Sequence, residues 1–258
     1  MIKRTFEMKV LFILKNLEDK NMSKTKKISA DAITARLKDM VRMRDEWIKK
    51  IQDGEMVHVV LQQGNSKTGR NCRTVSLIPI IDCLNSSLCQ YNCYDLRNDC
   101  WLSTVKNDRA RNSAIHLLDP ALYWKQVEEC VITDCVQELR INVGGDLTYV
   151  DFNYIAEMAE RCPRTDILFF TKSYEDINKF LDEKKFPSNV KPIISRWCGL
   201  ECNNKHNLPE SHVLWPDGRT TAPEYGATFC KMNCSNCHWN GEGCWTLKSG
   251  ESVIFEAH

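Results

Sequence analysis

Residues 139–146 read LRINVGGD, and their pattern sets the expected fold. Leu139, Ile141 and Val143 alternate with Arg140 and Asn142, the period of two that marks a strand with two unlike faces. Gly144-Gly145-Asp146 then ends it as a turn. Downstream, Asp151 to Cys162 reads as a helix with Phe152, Ile155 and Met158 inward. Residues 166–172, DILFFTK, read as a strand, and Ser173 caps a helix carrying Ile177, Phe180 and Leu181 on one side. Val190 to Arg196 is a strand again. Strands spaced roughly 25 residues apart with helices between them predict parallel pairing through right-handed crossovers.

A flat doubly wound sheet buries both faces and favours continuous apolar strands. Arg140 and Asn142 on one face fit better in a lumen, with Leu139, Ile141 and Val143 turned to the helices. The expectation is therefore an α/β fold, a (β/α) barrel that is TIM-like or incomplete. The legible strands fall short of a full barrel set. Upstream, Ala30 to Ile51 reads as a helix, Met56 to Leu61 and Thr74 to Ile78 as strands, with QGNSKTGRN as the loop between them. Asp119-Pro120 starts a helix that runs to about Gln137.

In such folds function sits at the C-terminal ends of the strands. Those ends carry Gly64-Asn65-Ser66-Lys67, Gly144-Gly145-Asp146, Thr171-Lys172-Ser173 and Ser195-Arg196-Trp197. Each alone reads as a turn or a cap. Together they make Asp146 and Lys172 the candidate acid and base. Asn65, Lys67, Gly144, Gly145 and Arg196 become candidate substrate contacts, with Arg196 as a fork for a carboxylate.

Near the end of the chain, residues 229–245 read FCKMNCSNCHWNGEGCW. Cys230, Cys234, Cys237 and Cys244 follow a C-x3-C-x2-C-x6-C spacing. A 4Fe–4S cluster, a zinc ion (with His238 as an alternative ligand) and unligated thiols all remain open, the cluster fitting the spacing best. The segment is expected to close over the barrel mouth, which would put the cluster near Asp146 and Lys172 at the C-terminal ends of the strands. Cys83, Cys89, Cys93 and Cys100 form a looser group that reads as a second site, as part of a shared one, or as isolated thiols. Cys130, Cys135 and Cys162 fall on expected helices and read as packed apolar groups, while Cys198 and Cys202 stay ambiguous.

Fourteen cysteines without a secretory signal point to a reducing, cytoplasmic compartment and metal-bound thiolates rather than disulfides. The apolar run from Val10 to Leu14 is too short to span a membrane. With 35 basic and 34 acidic residues, the net charge of +1 gives no general pull toward nucleic acid, and the basic run SKTGRNCR reads as a solvated loop. Residues 1–21 are basic and aperiodic, and Met22 opens a more ordinary start. The expectation is an N-terminal extension over 1–28, disordered or vestigial, and one domain over 29–258.

The triplet Cys230, Cys234, Cys237 has the C-x3-C-x2-C spacing of radical SAM enzymes, and Gly144-Gly145-Asp146 resembles their Gly-Gly-Glu motif, which holds the methionine amino group. The triplet of that family comes after the first barrel strand, however, and has an aromatic residue where Asn236 stands. These departures count against radical SAM chemistry proper and leave a distant relative of the same barrel plan.

A second resemblance is more extensive. GNSKTG at 64–69, Ser76 to Pro79, Cys83, RINVGGD at 140–146, FFTKS at 169–173, Ser195-Arg196 and a terminal cysteine cluster ending in Cys244-Trp245 resemble the phage-borne gene product 88-like proteins. The family's central motif reads more like RIHVSGD, and here Asn142 and Gly144 replace its His and Ser. The resemblance implies a barrel-like fold, an iron–sulfur cluster and a phage or prophage origin, hence host cytoplasm. The residues favour an enzyme that uses an open iron for lyase or hydrolase chemistry, C–S cleavage above all, on a small carboxylate substrate. A non-catalytic structural or redox-sensing iron–sulfur protein and a zinc-stabilised binding protein are the alternatives. A homo-oligomer is compatible with the sequence.

Overall fold

Leu139 and Ile141 point one way and Arg140 the other, and that alternation organises the sheet. The computed structural model describes residues 30–257, apart from 65–67, 70, 84–87, 94 and 97–102. The expected N-terminal extension, the start at Met22, Asn65, Lys67 and Cys100 lie outside the described residues. Among the described residues eight strands form one sheet: β1 (Gln62–Gln63), β2 (Cys72–Val75), β3 (Glu138–Ile141), β4 (Asp166–Thr171), β5 (Val190–Ser195), β6 (Glu210–Leu214), β7 (Ala227–Phe229) and β8 (Ser252–Glu256). Their order is β1-β2-β3-β4-β5-β6-β8-β7. Of these pairs, β1–β2 is antiparallel and the others are parallel. The molecule is thus an α/β protein with a mostly parallel sheet. Among the described residues no ladder joins β7 back to β1, so closure into a barrel is not seen.

The described helices are α1 (Ala30–Gln52), α2 (Ser103–Leu118), α3 (Pro120–Thr133), α4 (Tyr149–Arg161), α5 (Tyr174–Glu183) and the short α6 (Cys234–Trp239). Leu139, Ile141, Ile167 and Phe169 pack with Tyr123 and Val127 of α3, Phe152 and Ile155 of α4, and Ile177 and Phe180 of α5. Phe152 stacks on Phe169 at 5.6 Å. Burying either ring contributes about 1.5–3 kcal/mol. The opposite face carries Cys72, Leu168 and Ile193, which pack with Trp245 from the cysteine-rich end of the chain.

Two expectations fail upstream. Residues 56–61 are not a strand. Their backbone bonds instead go to side-chain amides. Val59 N–H donates to Gln126 Oε1 (2.8 Å) and Gln126 Nε2 donates to Val57 O, while Val60 N–H donates to Asn112 Oδ1 (2.9 Å). The strand at Gln62–Gln63 runs antiparallel to β2, so the turn after it is not a parallel strand's C-terminal end. Gly64 N–H donates to the Cys72 carbonyl, at the start of β2. A Cβ on Gly64 would lie 1.9 Å from Gly69 O, which reserves the position for glycine.

Helix α4 begins with a capping box between Thr148 and Asp151. Asp151 is fully buried and also accepts from Trp124 Nε1 (2.8 Å) and meets His116 Nε2 (2.6 Å). Burial alone would raise its pKa, but these donors prevail and hold it below the usual carboxylate range. For His116 burial pulls downward, yet the bond to Asp151 keeps it above its ordinary value. A raised histidine contributes stability that is complete below the unfolded pKa of about 6.5 and lost as pH rises through the folded value. Unfolding in urea should therefore show a midpoint that drops between pH 6 and pH 9, and His116→Gln should flatten the drop. An equal drop in the variant would show that the pair is not its source.

Candidate functional site

The parallel ladders place the ends of β3, β4 and β5 side by side, and polar groups converge there. Asp146 lies just beyond β3 and is buried. Its Oδ1 accepts from Thr171 Oγ1 (2.7 Å) and Leu147 N–H (2.8 Å), and its Oδ2 accepts from Lys172 N–H (3.0 Å). Burial raises its pKa, with the hydrogen bonds opposing. Lys172 comes directly after β4. Its Nζ donates to Ser195 Oγ (3.0 Å) at the end of β5 and lies 5.5 Å from the centre of the Trp197 ring. Asp146 and Lys172 are thus brought together through the Lys172 backbone N–H.

Arg196 is less available as a fork. Its Nη1 donates to the Cys202 carbonyl (3.4 Å) and lies 3.7 Å from Glu210 Oε1. Gly144 is buried, and a Cβ there would come within 2.3 Å of Asp95 Oδ2. Gly145 adopts φ +86, and its Cβ would meet Leu77 at 2.8 Å. Both glycines are demanded by packing, whatever they contact in a ligand. Asn142 also adopts a positive φ of 54, which breaks the alternation before Val143. Asn65 and Lys67 lie outside the described residues. Their described neighbour Gly64 stands beside the start of β2, away from this end.

The thiols at this end are those of the looser group. Cys83 comes after β2, and Cys89 opens a single 3₁₀ turn that ends just before Cys93. Burial pushes the Cys83 thiol well up, and Asp146, Cys89 and Cys93 are near enough to add to the effect. Cys89 is also raised by burial, with Lys172 opposing and Asp146 adding. Cys93 is pushed up to about 12, mainly by burial and then by Asp95. Cys83 and Cys89 thus stand within electrostatic reach of Asp146, Cys89 also of Lys172, and Cys93 of the other two thiols. A metal would supply the positive charge that their thiolates need.

The C-terminal cysteines lie elsewhere. The expectation that their segment closes over Asp146 and Lys172 is not met. His238 of α6 bonds Asp166 Oδ2 (2.8 Å) and reaches Glu138 Oε1 (3.2 Å), the first residues of β4 and β3. Those two carboxylates fix α6 at the N-terminal ends of the strands, opposite Asp146. His238 is thereby engaged as an anchor. Cys230, Cys234, Cys237 and Cys244 all line one cavity there, of about 400 Å³. Cys72, the first residue of β2, is pushed up to about 12 chiefly by burial, with Arg140 opposing and Cys234 adding. Sequence spacing did not single out Cys72. The strand expected over 74–78 starts two residues after it, whereas β2 covers Cys72–Val75.

Among the described residues no disulfide forms, and no three His, Cys, Asp or Glu side chains gather so as to hold a metal ion. Cys162 is buried as expected, but Cys130 is half-buried and Cys135 is exposed, beyond the end of α3 with φ +49. Cys198 and Cys202 are half-buried. No described helix is long and apolar enough to cross a membrane. No curated protein and no solved structure matches the chain. A family model described as Gene product 88 matches residues 58–236, a span that holds Cys83, Asp146 and Lys172, and the chain belongs to the gene product 88 family.

Proposed function

We propose that the chain is an iron–sulfur enzyme of phage or prophage origin whose reacting site lies at the C-terminal ends of β2 to β5. The observation that carries this reading is the placement of Cys83, Cys89 and Cys93 after β2, with Asp146 in electrostatic reach of Cys83 and Cys89 and Lys172 in reach of Cys89. These three thiols, rather than the C-terminal four, would hold the 4Fe–4S cluster used for chemistry. Three protein ligands leave one iron of such a cluster open, which supplies a Lewis-acidic position for a substrate oxygen or sulfur. Lys172, aimed at Ser195 Oγ, presents an ammonium to a small carboxylate. Asp146, kept toward its neutral form by burial, is placed to hand over or take up a proton. Lyase or hydrolase chemistry, with C–S cleavage favoured, uses both groups. The sequential order β2-β3-β4-β5-β6 is that of a barrel wall, and an incomplete (β/α) barrel is the architecture we infer from it.

One arrangement favours a second reading. Cys83, Cys89 and Cys93 come after the first parallel strand, and Gly144-Gly145-Asp146 comes after the next. The first of these is the place of the cysteine triplet in the radical SAM plan, although C-x5-C-x3-C is wider than its spacing. S-adenosylmethionine is a sulfonium that carries an amino-carboxylate, so it belongs to the same substrate class.

The test is anaerobic reconstitution and then EPR, with small carboxylates and with S-adenosylmethionine. The expected result is a cluster signal that shifts on addition of ligand. Lys172→Met should keep the signal and lose the shift. Loss of all ligand response in the wild-type protein, with iron fully loaded, would leave the non-catalytic reading in its place.

A further inference from the structure

The cavity at the N-terminal ends of the strands has the marks of a built site. All four cysteines of the C-terminal segment line it, together with Trp245. Trp245 is 3% exposed, and its Nε1–H has no acceptor among the described residues. Buried donors without a partner are rare in folded proteins. Gly243 adopts φ +64, and a Cβ on it would press the Cys237 sulfur at 3.1 Å, so the backbone comes close to the thiol only because glycine is there. Behind the cavity, Trp245, Cys237 and Cys244 pack against Leu168 and Ile193 of the sheet.

The dimensions discriminate between metals. A single zinc ion draws four sulfurs to about 2.3 Å from one point. Here the four thiols line a cavity of about 400 Å³, which is many times the share of one water (about 30 Å³). A polynuclear cluster bonds its thiolates from outside and keeps them apart. We infer that Cys230, Cys234, Cys237 and Cys244 form a second, closed 4Fe–4S site, separate from the one beside Asp146, and that it serves electron transfer. With a thiolate for every iron, such a cluster exchanges single electrons and leaves no position for a substrate. Trp245 Nε1–H is the positioning donor toward a cluster sulfide. Its hydrogen bond stabilises the reduced, more negative state and raises the reduction potential. The site is independent of the ligand site proposed above.

The experiment uses the full chain, reconstituted anaerobically, with iron, acid-labile sulfide and zinc analysis and EPR after reduction by dithionite. The wild-type protein should hold about eight irons, two cubane sets of four. Cys234→Ser/Cys237→Ser should fall to about half, and the signal that responds to carboxylates should persist. Cys83→Ser/Cys89→Ser/Cys93→Ser should also fall to about half and lose only that responsive signal. If only the first variant loses iron, the mouth reading fails and this one stands. If only the second does, or if stoichiometric zinc stays with the C-terminal cysteines, the inference is overturned. Should the first variant not fold, Trp245→Phe decides: it should keep the wild-type iron content and lower the midpoint potential of one cluster, and an unchanged potential would sink the assignment.

Discussion

Arg109→Met should lower the free energy of unfolding by about 3–5 kcal/mol. Arg109 lies on α2, and its Nη1 and Nη2 donate to Asp95 Oδ2 and Oδ1 at 2.5 and 2.8 Å. Their side chains are only 3% and 1% exposed. Methionine would replace much of the arginine stem but would take away the bidentate partner of a buried carboxylate. Water cannot reach Asp95 to compensate. The carboxylate is also wedged from the other side, because Gly144 leaves it no more room than a hydrogen atom requires. Asp95 stands two residues beyond Cys93, so the pair fixes the chain that carries this thiol beside Cys89. The loss should therefore appear twice, as a lower urea midpoint and as weaker iron retention in Cys230→Ser/Cys234→Ser, where only the mouth site is left. Asp95→Asn in the Arg109→Met background should recover part of the stability by removing the charge. A single-variant cost below about 1 kcal/mol would show that the pair is screened after all.

The range of the interactions decides how much of the molecule was legible in the sequence. The alternation of Leu139, Arg140 and Ile141 is local, so it gave β3 and its two faces correctly, Arg140 included, whose guanidinium lies over Phe170 at 5.2 Å. The helices at 30–52, 120–133, 149–161 and 174–183 were legible from their apolar spacing and caps. Residues 56–61 looked like a strand because Val57 and Val59 alternate, but their partners are Gln126 and Asn112, more than fifty positions away. Strands β6, β7 and β8 were not read. Of these, the apolar run Val253-Ile254-Phe255 was the one visible signal. The tight C-terminal cysteine spacing picked out four thiols that line one cavity, but at the end of the strands opposite to the one expected. Nothing in that spacing reports that His238 would dock on Glu138 and Asp166. Conversely, the loose C-x5-C-x3-C group looked weaker in sequence, yet the topology brings Cys83 and Cys89 into electrostatic reach of Asp146. Spacing along a chain tests whether thiols can share a metal. It does not say where the sheet will place them.

Asp146→Ala should cost about 3–5 kcal/mol, more than any one of its hydrogen bonds. The carboxylate accepts from three donors on two strand ends: Thr171 Oγ1, Leu147 N–H and Lys172 N–H. Truncation leaves all three facing a cavity at a buried point. The hydroxyl is shared further, since Thr171 Oγ1 itself accepts from Ser173 N–H at 2.9 Å, which starts α5. Asp146 therefore couples the end of β3 to the start of the helix after β4. Asp146→Asn is the milder change. An amide keeps one acceptor oxygen for Thr171 and Leu147, but turns an NH2 toward the Lys172 N–H. About 1–3 kcal/mol should be lost, from one donor left unmet. Thr171→Val, which removes one bond and keeps the shape, should cost about 1–2 kcal/mol. In the double variant Asp146→Ala/Thr171→Val the cost should fall well short of the sum, because the valine no longer presents a hydroxyl that needs an acceptor. Urea unfolding of the four proteins closes the cycle. Strict additivity would mean that Asp146 and Thr171 act apart, and the network would then be no more than adjacent contacts. If the cycle closes as expected, Asp146→Asn becomes the informative variant for function. It retains the fold and the thiols, so any loss of the ligand-induced EPR shift belongs to the carboxyl group itself rather than to a collapsed site.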